Sequence, residues 1–108
     1  MTSLVKNSQH IDNATIVPKI TDNGKEKLKD IQLNSRSDSG QLVIEFNDDV
    51  EVFYKAQYSG DFSGERDLIG SWKNGNNKWI HSQLSLNGSD TKDMECLKLL
   101  MNYALNKK

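Results

Sequence analysis

A chain of 108 residues, 35% of them hydrophobic and 27% charged, is long enough to bury one core and too short for two. Its formal net charge of −1 disfavours both electrostatic extremes, a basic surface that grips phosphates and an acidic mimic of nucleic acid. Mean hydropathy is low at −0.70, but the apolar residues come in ordered clusters, which argues for folding over general disorder.

Residues 1–13 read as a flexible tail ahead of a single domain over 14–108. The tail carries Lys6 among polar residues and lacks the apolar stretch of a secretory signal, and no later segment approaches the length of a bilayer span. The expectation is a soluble, cytoplasmic protein. Ala14 to Ile20 is rich in β-branched residues, and Pro18 removes a ladder donor, which places this strand at an edge or ends it there. Thr21-Asp22-Asn23-Gly24 reads as a tight turn. In Lys25 to Asn34 the residues Lys25, Lys27, Lys29, Ile31 and Leu33 alternate as a strand would, while Leu28 and Ile31 also fit a short helix; a strand with a twist or bulge is favoured.

After a polar loop over Ser35 to Gly40, Leu42, Ile44 and Phe46 share one face of a strand over Gln41 to Asn47. Asn47-Asp48-Asp49 then leads into a strand with Val50, Val52, Tyr54, Ala56 and Tyr58 on one face, so the two are expected to form a β-hairpin. Ser59 to Asp67 is a longer loop in which Gly60 and Gly64 bracket Phe62, a candidate contact residue. Arg66 to Trp72 and Lys78 to Leu86 make a second hairpin around Asn74-Gly75-Asn76-Asn77, with Trp72 opposite Trp79. That register puts Leu68, Gly70, Trp72, Trp79, His81 and Gln83 on one face. Ile69, Ser71, Ile80, Ser82, Leu84 and Leu86 fall on the other, the better candidate for packing under a helix.

The helix is Ser89 to Lys108, capped by Ser89 or Asp90 and with Asp93 near its positive end. Met94, Leu97, Met101, Ala104 and Leu105 cluster on one side, Leu100, Cys96 and Tyr103 extend it, Leu99 marks its far edge, and Glu95, Lys98, Asn102 and Asn106 form the polar stripe. This apolar arc is about twice the roughly 100° that packing on one sheet requires. Something must cover the surplus: the N-terminal segment, a second copy or another protein. The expected architecture is therefore α+β, an antiparallel meander sheet of about four to six strands with one C-terminal amphipathic helix packed on a face.

Chemistry is harder to find. Cys96 is the only cysteine, on the apolar arc, and reads as a small buried hydrophobe, with neither a disulfide nor a thiolate metal cluster possible within the chain. His10 lies in the tail and His81 in a strand, without a serine or cysteine motif to activate. Glu45, Asp48, Asp49 and Glu51 crowd the first hairpin at the spacing of exposed strand and turn positions. No phosphate loop, dinucleotide fingerprint or metal spacing occurs, so neither an enzyme nor a metal or other cofactor is expected. The Trp72/Trp79 pair with Lys73 and Lys78 supplies the alternative of stacking unpaired bases, without the patterns of known nucleic-acid modules. The leading expectation is a small protein-protein interaction module of the inhibitor, immunity or adaptor kind. The Asn- and Lys-rich composition associates with phages and mobile elements. Its partner would be another protein or itself as a homodimer, contacted through Trp72, Trp79, His81, Phe62, Leu99 and Tyr103.

Overall fold

A computed structural model describes residues 5–75 and 77–105. In chain order the elements are β1 (Val5–Ile20), α1 (Asp22–Lys27), β2 (Arg36–Phe46), β3 (Glu51–Gly60), β4 (Gly64–Asn74), β5 (Asn77–Ser82) and α2 (Thr91–Leu105). The strands form one antiparallel sheet in the order β2-β1-β3-β4-β5, and α2 lies on one face, an α+β architecture.

β1 determines how the sheet curls, because it serves two ladders in succession. Its first part pairs with β2, from Val5 opposite Phe46 to Ile16 opposite Arg36. Its second part pairs with β3, from Ala14 opposite Gly60 to Ile20 opposite Tyr54. Two sequence expectations are corrected here. Val5–Asn13, read as tail, belongs to the β1 strand. The strands flanking Asn47-Asp48-Asp49 are not a hairpin, since β1 sits between them although Val50 N–H closes a turn on Asn47 O at 3.0 Å. Instead the end of β2 reaches β4, where Phe46 N–H donates to the Asp67 carboxylate at 3.1 Å.

Pro18 lies in an interior strand, yet beyond the last β1–β2 pair, so its missing N–H removes no ladder bond. Its carbonyl instead accepts from Gln32 Nε2 at 2.9 Å. The expected turn at Thr21–Gly24 is the start of α1, and Lys25–Asn34 contains no strand. Thr21 decides this: its Oγ1 accepts from Gly24 N–H at 2.9 Å and donates to Val52 O at 2.7 Å, capping the helix and tying it to β3. Gly24 allows the close approach, because a Cβ there would lie 2.3 Å from Phe53 O. The segment after α1 then buries Ile31 and Leu33, with Tyr54 Oη donating to Ile31 O at 2.8 Å.

The face assigned to β3 is also revised. Register shifts around Val52, Tyr54 and Lys55 mark a bulge that brings Phe53 and Tyr54 to the same side. Phe53, Tyr54, Ala56 and Tyr58 join Ile16, Leu68, Ile69, Leu84, Cys96 and Leu100 in the core beneath α2. Val50 and Val52 belong to a smaller cluster with Phe46 and Trp72. The same irregularity moves Leu68 into the main core, away from the face shared by Trp72 and Trp79.

α2 is rotated relative to the arc read from sequence. Asp93, Cys96 and Leu100 are its buried residues, with Leu99 and Tyr103 packed beside them. Asp90 is the cap, its Oδ1 accepting from Lys92 N–H at 2.9 Å and Asp93 N–H at 3.1 Å. Asp93 grips Arg36 through two 2.8 Å bonds and accepts Asn87 N–H at 2.9 Å, and the guanidinium holds this carboxyl below the ordinary range. The first residue of β2 is thereby fixed to the first turn of α2.

Candidate interaction surfaces

The face of β3-β4-β5 turned away from α2 carries the aromatic pair. Trp72 stands opposite Trp79, Gly70 opposite His81 and Ser71 opposite Ile80, as the hairpin register predicts. The turn is shorter than expected, closing Asn74 on Asn77 with Gly75 at a φ of +65°, where a non-glycine residue is disfavoured. The two indoles are tilted by 33° with centroids 6.2 Å apart. Trp79 is 52% exposed, whereas Trp72 is half-buried against Phe46, Val50 and Val52.

Gly70 lets Phe46 lie on the sheet here: a Cβ would meet Phe46 Cε2, Val50 Cγ1 and Glu51 O, each at 2.9 Å. Phe46 in turn packs edge-on against His81 at 5.9 Å. Burial lowers the His81 pKa and so favours neutral imidazole. Trp72 Nε1 and His81 Nε2 are buried without a hydrogen-bond partner, an uncommon pair of unsatisfied groups on one small patch.

A second apolar surface lies on α2. Met101 is 54% exposed and Leu105 75%, one turn apart, with half-buried Leu97 one turn earlier. The surplus apolar arc is therefore real, but it runs along Leu97, Met101 and Leu105. Leu99 and Tyr103, the sequence candidates, pack against the core. Tyr103 also donates to Glu51 Oε1 at 2.6 Å and lies edge-on to Phe53 at 5.1 Å. Burial, then the neighbouring Glu51, push its phenol up to about 12. Phe62 folds back as well, meeting Tyr58 edge-on at 6.0 Å beneath the Arg66 guanidinium, 4.6 Å above its ring. Thus Trp72, Trp79 and His81 share one surface, while Phe62, Leu99 and Tyr103 support the core.

The basic residues lie elsewhere. Lys73 and Lys78 alternate with the tryptophans and line an open pocket of about 430 Å³ with Lys27, Asp49, Glu51, Ser71 and Tyr103, on the helix side of the sheet. Lys78 Nζ sits 4.2 Å over the Tyr103 ring and donates to Tyr103 O at 3.4 Å. The lysines enlisted for base stacking thus point away from the indoles. A smaller pocket of about 240 Å³ gathers Glu45, Lys55, Glu65, Arg66 and Asp67.

Cys96 is 1% exposed beneath Tyr54, and burial raises both side chains' pKa values, which keeps them protonated at neutral pH. Among the described residues no group of three or more His, Cys, Asp or Glu side chains is placed to hold a metal ion, and no helix is long and apolar enough to cross a membrane.

Sequence reasoning missed the Arg36–Asp93 pair. The available signal was Asp93 itself, which stands between Met94 and the Cys96–Leu100 stripe on the side that becomes buried, a position where a carboxylate needs a cation. No family model matches the chain, and neither a curated protein nor a solved structure is similar to it.

Proposed function

We propose that this chain is a small cytosolic protein-binding module of the inhibitor, immunity or adaptor kind, acting by steric occlusion rather than by catalysis. The observation that carries this reading is the Leu97–Met101–Leu105 stripe, an apolar row along α2 with Leu97 half-buried and Met101 and Leu105 left exposed. Water contact at Met101 and Leu105 costs hydrophobic free energy that a protein partner would recover, at about 25 cal/mol for each Å² of apolar surface covered. Tyr54, Cys96, Asp93 and Tyr103, whose titration is shifted, are engaged in packing or internal bonds, which supports a structural role for them.

The test is nuclease-treated affinity capture from the lysate of the source or its host, comparing wild type with Met101→Glu and Leu105→Glu. The expected result is one retained protein that both substitutions release, with the melting transition nearly unchanged. Retention that survives both substitutions overturns this reading, and so does a nucleic acid as the sole retained species.

A further inference from the structure

β5 is the last strand of the sheet, and its outer side pairs with no strand among the described residues. The orientation of its backbone groups follows from two fixed points. Gln83 N–H donates to Leu68 O at 2.8 Å, towards β4. The two-residue turn closing Asn74 on Asn77 directs Asn77 the same way. Backbone groups alternate sides along a strand, so Trp79 and His81 also bond to β4, and Lys78, Ile80 and Ser82 aim theirs outward. The Ile80 N–H and C=O thus point away from β4, on the side where no described strand pairs with β5. A donor and an acceptor in this arrangement are matched by another extended strand.

We propose that the strand is β5 of a second copy of this chain, paired antiparallel about a two-fold axis at Ile80, so that a continuous sheet runs through a homodimer. The pairing is self-complementary. Ile80 exchanges both of its backbone bonds with Ile80 of the second copy, and Lys78 falls opposite Ser82, which avoids a like-charge pair. Trp79 falls opposite His81 of the second copy in a non-hydrogen-bonded pair, the kind in which cross-strand side chains stand closest. Each half-exposed indole then covers the His81 edge of the other protomer and extends the row Trp72–Trp79 across the axis. This surface is separate from the Leu97–Met101–Leu105 stripe, so the two proposals stand or fall independently.

Analytical ultracentrifugation of the full chain over a range of concentrations, combined with residue-resolved hydrogen exchange, tests the assignment. A reversible dimer is expected, weakened at least about tenfold by Trp79→Lys and unaffected by Met101→Glu. The Ile80 amide should exchange more slowly as concentration rises, while the Trp79 and His81 amides stay protected throughout. A chain that remains monomeric at every concentration overturns the proposal. So does a dimer that keeps its affinity in Trp79→Lys, or one that leaves Ile80 exchange independent of concentration. If Ile80 is protected only by a captured foreign protein, the edge is a docking site for that partner and not for a second copy.

Discussion

The two faces of the β3-β4-β5 sheet treat their polar groups in opposite ways. Under α2 the buried polar groups are matched: Asp93 is held by Arg36 and Asn87, Tyr54 by Ile31, and Tyr103 by Glu51. On the other face Trp72 Nε1 and His81 Nε2 are buried without partners, and Trp79 stands half in water. An unsatisfied buried donor or acceptor costs about 1–3 kcal/mol. The helix face is thus organised for stability, while the aromatic face retains a cost that stability alone does not explain.

Substitutions should separate the faces. The largest effect is expected from Asp93→Ala, which removes the carboxylate from the Arg36 guanidinium, leaving it the carbonyls of Asn34 and Ser85, and orphans Asn87 N–H; a loss of about 3–5 kcal/mol should be measured by urea denaturation. Gly70→Ala probes the aromatic face by forcing a Cβ against Glu51 O and Phe46. A smaller loss of about 1–3 kcal/mol is expected, together with a changed Trp emission spectrum.

The smallest effect is a pH slope. The folded-state pKa of His81 lies below its ordinary 6.5, so on acidification the unfolded chain takes up the proton first. Stability should therefore fall as pH drops below about 6.5, and His81→Gln should flatten this limb. Asp93, also lowered, contributes stability above the unfolded carboxylate pKa and loses it as pH falls through the still lower folded value, a second limb starting near pH 4 that Asp93→Ala should remove.

What was legible in the sequence was local. A two-residue turn and alternating side chains suffice to set Trp72 opposite Trp79, and the apolar period of α2 survives in any tertiary context. The pairing of β1 between β2 and β3 was hidden because it joins residues far apart in sequence, and nothing in the strand at Leu42–Phe46 distinguishes a neighbour at Val50 from one at Val5. Periodicity also failed where the backbone departs from it: the bulge beside Phe53 reassigns Val50 and Val52 to the opposite face from Tyr54. On α2, hydrophobicity placed the centre of the apolar arc on the Met94–Leu97–Met101 side. A buried ion pair instead turned the Cys96–Leu100 side inward, leaving Leu99 and Tyr103 as core contacts and Met101 and Leu105 as the open stripe.

The handover of β1 from β3 to β2 also divides the sheet into a locally connected part and a strand held at long range. β3, β4 and β5 join through short turns and can form early, since little loop entropy is lost in closing them. β2, the outer strand on the other side, has a ladder with β1 alone, so that one ladder carries all of its strand pairing. Arg36, at the start of β2 and locked to Asp93, is then the latch: β2 cannot leave the sheet without breaking this pair and stranding the Asp93 carboxylate buried beneath α2 without its cation.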